Sequence, residues 1–342
     1  MIETIHCLKR YIDISPDEEE AIHCVGIRYP WRVTDYYASL MNFNDRLCPI
    51  RCQAVPQAEE LNHDFGVQDP LNEENNSPIP SVIRVYPDRI AVIVTSRCPV
   101  YCRYCLRKRF RRSESEDLRG ERLKDVLSYI RGDTTIRDVL LTGGDPLMFG
   151  DGDLDDILGE LFLIRHVEIV RIGTRTLCTW PERVTESFAK MLSTHHPVWI
   201  STQFNHPKEI TPESVHAINT LLNMGIPVNN QTVLLKGIND SIDIMKELVR
   251  ILVKIRVRPY YLYQAQTLSG TKHFVTTIEK GLEIIKGLRG WTTGFAVPQY
   301  VLDTPYGKIP LNPNYLKGRD GDYVEMVNYE GKIWREWNSV RD

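Results

Sequence analysis

An α/β fold built on a parallel sheet is the class this sequence predicts, and two observations carry that reading. Short apolar, often β-branched runs recur at 89–96, 138–147, 167–176, 196–206, 225–237 and 257–264, with helix-like segments between them at 117–131, 153–164, 182–193, 211–223 and 240–256. Strands alternating with helices are the mark of βαβ units. The polar stretches that carry chemistry also fall just after the strands, at the carboxyl edge where parallel folds build their sites. Six units of this size suit a parallel barrel, complete or partial, and equally a doubly wound sheet.

Taken in chain order, residues 1–80 read as a helical N-terminal region that ends in a polar, Pro/Asn-rich connecting arm, "GVQDPLNEENNSPIPSVI". Residues 81–275 hold the strand–helix units. Residues 276–342 begin with a helix at 276–290 and continue as short strands and turns. With 42 Lys+Arg against 45 Asp+Glu the net charge is −3, which argues against a nucleic-acid or anionic-membrane surface. No apolar run reaches the roughly 18 residues of a membrane span, and the acidic start has no secretory h-region. Eight cysteines in 342 residues do not make a disulfide scaffold. A cytoplasmic protein that partners neither nucleic acid nor membrane is expected.

Three of those cysteines crowd into "RCPVYCRYCLRKRF" (97–110). Cys98, Cys102 and Cys105 have the spacing C-x3-C-x2-C. A structural zinc site closes with four ligands, whereas a cubane [4Fe–4S] cluster held by three thiolates leaves one iron open. A zinc site completed by a distant thiol, from Cys7, Cys24, Cys48, Cys52 or Cys178, suits the same spacing. The basic residues Arg103, Arg107, Lys108 and Arg109 would offset a cluster's negative charge, and "RKR" otherwise reads as a solvated face. Gly143 and Gly144, in "LLTGGDPL", form a turn that lets backbone approach a ligand closely.

The C-x3-C-x2-C spacing, with Tyr104 before the last cysteine and the glycine pair after the second strand, resembles the signature of the radical S-adenosylmethionine superfamily. Further stretches resemble the lysine 2,3-aminomutase family: "YPDRIAVIVTSRCPVYCRYCLRKRF", "RIGTRT", "FNHPKEIT", "GIPVNNQTVLLKGIND", "RVRPYYLYQ" and "KGLEIIKGLRGWTTGFAVPQYVLDTP". The likeness runs from about residue 45 to 335. It implies a partial (β/α)6 barrel, a [4Fe–4S] cluster on Cys98, Cys102 and Cys105, S-adenosylmethionine at the open iron, and pyridoxal 5′-phosphate as a second cofactor. It further implies a 1,2-amino shift in an amino acid, begun by hydrogen abstraction from Cβ.

Carried over residue by residue, the resemblance makes Lys308, in "DTPYGK", the cofactor's imine lysine, although by itself "YGK" reads as an exposed turn. An imine lysine needs a neutral amine, hence desolvation or a nearby positive charge. Arg89 is implied to bind the cofactor phosphate. Gln231, Gly143, Gly144, Asp145 and Gln203 are expected among the cofactor-binding residues, and Arg107 at the substrate carboxylate. Two aspartates hold the distal ammonium in the lysine enzymes. One is retained as Asp303, and the other position is Gln266, an amide that can also bond a guanidinium or a hydroxyl.

Other departures from the family pattern are Gln203 for histidine, Ser241 at a zinc-ligand position, and a turn before Lys308 that is two residues shorter. No structural zinc is expected. The resemblance also implies an electron donor such as flavodoxin or ferredoxin, and a homo-oligomer, at least a dimer. The expected substrate is lysine or arginine. Alternatives are glutamate or another amino acid, a lysine aminomutase serving elongation factor P, and a non-catalytic Fe–S or pyridoxal-binding module.

Overall fold

The computed structural model describes residues 1–62, 65–110 and 117–338. Its main sheet has nine strands in sequential order: β1 (Val82–Ile83), β2 (Arg89–Thr95), β3 (Asp138–Gly143), β4 (Ile169–Gly173), β5 (Val198–Thr202), β6 (Val228–Leu234), β7 (Arg258–Gln264), β8 (Gln299–Thr304) and β9 (Gly307–Pro310). Strands β2 to β8 pair in parallel, and β1 and β9 add antiparallel edges. A doubly wound sheet would reverse its order partway, so sequential order leaves the barrel reading. The sheet is curled into a half-barrel. Laid flat at about 4.8 Å per strand, β2 and β9 would lie roughly 34 Å apart. Instead the Lys308 amide of β9 donates to the hydroxyl of Tyr86, just before β2, at 2.7 Å.

The helices are α1 (Ile5–Leu8), α2 (Pro16–Arg28), α3 (Asp35–Ser39), α4 (Pro49–Ala54), α5 (Gly120–Gly132), α6 (Asp151–Phe162), α7 (Thr176–Thr179), α8 (Glu186–Leu192), α9 (Pro212–Asn223), α10 (Ile242–Lys254) and α11 (Ile278–Leu288). Their starts follow local chemistry. Ser15 and Glu18 form a capping box around Pro16 on α2, and Thr211, Ser241 and Thr277 each cap the helix that follows them. Such caps are worth about 1 kcal/mol each. Ser241, at the family's zinc-ligand position, therefore serves here as the N-cap of α10, accepting from the Ile244 amide at 3.2 Å.

The apolar outer face of the sheet packs under α5, α6 and α8–α11, in one core that includes Val92, Val139, Val170, Ile200, Leu248 and Ile285. The N-terminal region meets the cysteine loop directly: the Tyr101 amide donates to the Arg32 carbonyl at 3.0 Å and the Arg103 amide to the Gln53 carbonyl of α4 at 2.9 Å. A separate meander of β10 (Leu316–Asp320), β11 (Tyr323–Val327) and β12 (Ile333–Trp337) follows. Among the described residues no helix is long and apolar enough to cross a membrane.

Candidate active site

The concave face of the half-barrel encloses a cavity of about 700 Å³. The residues expected to hold cofactors or substrate all line it: the three cysteines, Arg89, Arg107, Gly143, Gly144, Asp145, Gln203, Gln231, Gln266, Asp303 and Lys308. The strand order explains the convergence, because each residue lies on the inner face or at the carboxyl edge of a successive strand.

The cysteine loop leaves β2 and is pinned from two sides. On one side the β3 turn presses against it: the Gly144 amide donates to the Thr95 carbonyl at 2.6 Å and the Asp145 amide to the Arg97 carbonyl at 2.7 Å. A Cβ on Gly144 would lie 2.1 Å from the Arg97 carbonyl oxygen, so no other residue fits. The glycine pair thus answers to backbone packing against this loop.

On the other side sits Glu60, fully buried in a 3₁₀ turn at Ala58–Leu61. It accepts from Arg103 Nε and Nη2, the latter at 2.7 Å, and from Lys108 Nζ. Lys108 is buried, which corrects the solvated-face reading of "RKR". Burial lowers its amine to about 8 against the pull of Glu60. Arg107 and Arg109 are likewise committed, to Glu73 of the connecting arm. Arg107 donates to both Glu73 oxygens (2.8 to 3.2 Å) and, more weakly, to Thr142 Oγ1 and the Gly143 carbonyl at 3.4 Å. Arg103, Arg107, Lys108 and Arg109 are therefore matched by carboxylates from upstream in the chain.

A cation that touches a cysteine comes from elsewhere. Arg175, in the turn after β4, donates to Cys102 Sγ at 3.0 Å. In the sequence Arg175 stands within "RIGTRT", a stretch that resembles the family, and no role was expected of it. Asp145 fixes this turn: its carboxylate accepts from Thr174 Oγ1 (2.6 Å), the Arg175 amide (2.8 Å) and the Leu147 amide (3.0 Å). Desolvation raises the Asp145 carboxyl above its ordinary range. Tyr104 lies half-buried beside them, its hydroxyl accepting from Gln203 Nε2 at 3.0 Å and Asn205 Nδ2 at 2.6 Å.

At the other end of the cavity, Asp303 and Lys308 are cross-strand partners in the β8–β9 hairpin, with Nζ 3.4 Å from Asp303 Oδ2. The short turn projects Tyr306 into solvent, yet Lys308 still lines the cavity. Gly307 has φ +111°, and a Cβ there would crowd the Tyr86 hydroxyl at 3.0 Å. The amine sits 5.6 to 6.0 Å from the ring centres of Tyr86, Tyr261 and Tyr263. Its charged neighbour is thus a carboxylate in an aromatic cage, where the sequence reading looked to desolvation or a positive group. Gln266 Nε2 donates to the Asp303 carbonyl at 3.1 Å. Arg89 lies over the Tyr86 ring, 3.7 Å from its centre.

The cavity fits the bound groups that the motifs imply. Ser201 Oγ and Thr202 Oγ1, at the end of β5, and Asn229 Oδ1 on β6 are buried along its wall without a protein hydrogen-bond partner, as atoms that await a polar ligand would be. Among the described residues no three His, Cys, Asp or Glu side chains gather about one point, as a single ion would require. A cubane distributes its thiolates over separate irons and makes no such demand.

Comparison with known proteins agrees. Residues 92–249 match the radical SAM superfamily and residues 285–338 match the family described as lysine-2,3-aminomutase. The chain is 46% identical to the L-lysine 2,3-aminomutase of Clostridium subterminale over 335 residues, covering 97% of this chain and 80% of that one. It is 46% identical to the Bacillus subtilis L-lysine 2,3-aminomutase (97% and 71% covered). It is 43% identical to a glutamate 2,3-aminomutase of Clostridioides difficile (97% and 79%). Radical SAM proteins carry a [4Fe–4S] cluster and S-adenosylmethionine, aminomutases of this kind add pyridoxal 5′-phosphate, and their reaction is an isomerisation. The chain belongs to the lysine 2,3-aminomutase family of the radical SAM superfamily.

Proposed function

We propose that this chain moves the α-amino group of a basic amino acid, lysine or arginine, to the adjacent carbon. The observation that supports this most is the meeting of the thiol triad and Lys308 across one cavity whose distal end carries Asp303. When bound, the cluster with S-adenosylmethionine supplies one-electron hydrogen abstraction, and pyridoxal phosphate supplies a carbonyl for the migrating nitrogen.

The protein's own part is placement. Cys98, Cys102 and Cys105 would hold the cluster, and the Lys308 amine would anchor the pyridoxal cofactor. Arg89 offers its guanidinium to the phosphate, and Gln231 and Gln203 line the space between the two cofactors. Arg107 takes the substrate carboxylate once Glu73 gives way, since its donors are otherwise spent on protein acceptors. Asp303, with Gln266 beside it, receives the distal cation. Tyr86, Tyr261 and Tyr263 wall off water, and holding the reacting groups in register is worth several orders of magnitude in rate. An external one-electron donor, a homo-oligomeric state and a cytoplasmic setting complete the proposal.

One observation favours a second substrate. Gln266 removes a negative charge, and Arg258 also lines the cavity, an arrangement open to an acidic side chain such as that of glutamate. The test is to incubate reduced, reconstituted enzyme with lysine, arginine and glutamate separately and identify the β-amino products. Asp303→Asn should raise KM for a basic substrate at least tenfold. An unchanged KM, or turnover of glutamate alone, refutes the basic-substrate reading.

A further inference from the structure

Arg175 is held at both ends. One Nη donates to Cys102 Sγ at 3.0 Å, and the other reaches Glu209 Oε1 at 2.6 Å, Gln53 Oε1 at 2.8 Å and the Tyr37 hydroxyl at 2.9 Å. The guanidinium lies 5.2 Å from the Tyr37 ring centre and 5.7 Å from that of Tyr104. Glu209 is fully buried, and its other oxygen accepts from the amides of Asn205 at 2.5 Å and His206 at 3.0 Å. An ion pair buried this deeply gains the fold little over apolar residues of the same volume. Its orientation suggests another use: the positive end touches a cysteine, and the negative end is turned away into protein donors.

We propose that Arg175 and Glu209 are positioning residues that set the reduction potential of the cluster through Cys102, Arg175 raising it and Glu209 restraining that rise. The proposal rests on reading the cysteine triad as a cluster site. One electron from an external donor, dithionite in vitro, takes the cubane core from 2+ to 1+. No bond breaks and no proton moves, so the added negative charge stays on iron and sulfur. A guanidinium that donates to a ligating thiolate stabilises the more negative state, and hydrogen bonds to the sulfurs are among the levers that set such potentials. In a water-poor site the fixed charge of each partner acts with little screening.

The test is a redox titration of anaerobically reconstituted protein. The midpoint is read from the electron paramagnetic resonance of the reduced cluster, with iron and sulfide measured on the same samples. Glu209→Gln keeps the arginine and removes its counter-charge, so the midpoint should rise. Arg175→Gln should lower it, and the double variant should fall between the two. Shifts of opposite sign are what a merely structural role would not produce. Midpoints at the wild-type value, or shifts in one direction for both, overturn the proposal. If Arg175→Gln does not fold, the sign for Glu209→Gln decides. A wild-type chain that takes up no cluster overturns the cluster reading itself, which the iron content distinguishes from failure of the pairing.

Discussion

Replacing Glu60 with glutamine should loosen the cysteine loop at its base. The carboxylate has no exposure and faces two cations, Arg103 at 1% and Lys108 at 4% side-chain exposure. It also accepts the Gln57 amide at 2.9 Å. Glutamine fits the space but leaves two buried positive charges without a counter-charge, and removing one partner of such a pair costs about 3 to 5 kcal/mol. Unfolding entropy near 2.1 cal/mol/K per residue gives roughly 0.7 kcal/mol/K for a chain of 342 residues, so the melting temperature should drop by about 4 to 7 °C. Arg103 and Lys108 flank Cys105, so iron uptake on reconstitution should fall as well. Calorimetry of the apoprotein and an iron assay of the reconstituted protein read the two effects. The triple variant Glu60→Leu/Arg103→Met/Lys108→Leu should lose less stability than Glu60→Gln, because no charge is stranded. A melting temperature within about 1 °C of wild type and unchanged iron would refute the claim that this triad anchors the loop.

Four further outcomes are expected. Cys102→Ala should abolish stable iron and sulfide binding and the brown colour of the reconstituted protein. Lys308→Ala should lose the visible absorbance that pyridoxal phosphate gains on binding, while iron content stays at the wild-type level. Glu73→Gln frees Arg107 from a competing carboxylate. With charge-assisted hydrogen bonds worth about 1.5 to 3 kcal/mol, KM for the amino acid should fall by roughly tenfold or more; a rise in KM would argue that Arg107 does not receive the substrate. Lys108 sits at about 8 in the fold against 10.5 ordinarily, so between those pH values the unfolded chain binds the extra proton and this site's contribution to stability grows with pH. Urea midpoints of wild type and Lys108→Met should therefore diverge in favour of wild type from pH 7.5 to 9.5.

Much of this architecture was legible because local rules and topology agree. The six strand–helix units match β2–β7 and the helices between them to within a few residues, and the polar stretches after the strands converge because sequential parallel strands share one carboxyl edge. The structure adds β8 as a seventh parallel strand and β9 as its antiparallel partner, which carry Asp303 and Lys308 into the same sheet. What could not be read were pairings between distant positions. Glu60 meets Arg103 across 43 residues, Glu73 meets Arg107 across 34, and Arg175 meets Cys102 across 73. Nothing in the local pattern of "RKR" says that a carboxylate in the N-terminal region buries its lysine. Gly144 was recognisable as a turn residue, but the backbone it must clear, at Arg97, lies on a different strand connection.

The central claim is that the thiol triad and Lys308 serve one substrate in one cavity. The most direct measurement follows the hydrogen atom between them. The reduced holoenzyme is given its amino acid with deuterium at Cβ, and the S-adenosylmethionine recovered after turnover is examined by mass spectrometry. The account predicts deuterium at the 5′ carbon together with a β-amino product. Product formed while the recovered S-adenosylmethionine carries no label would contradict it.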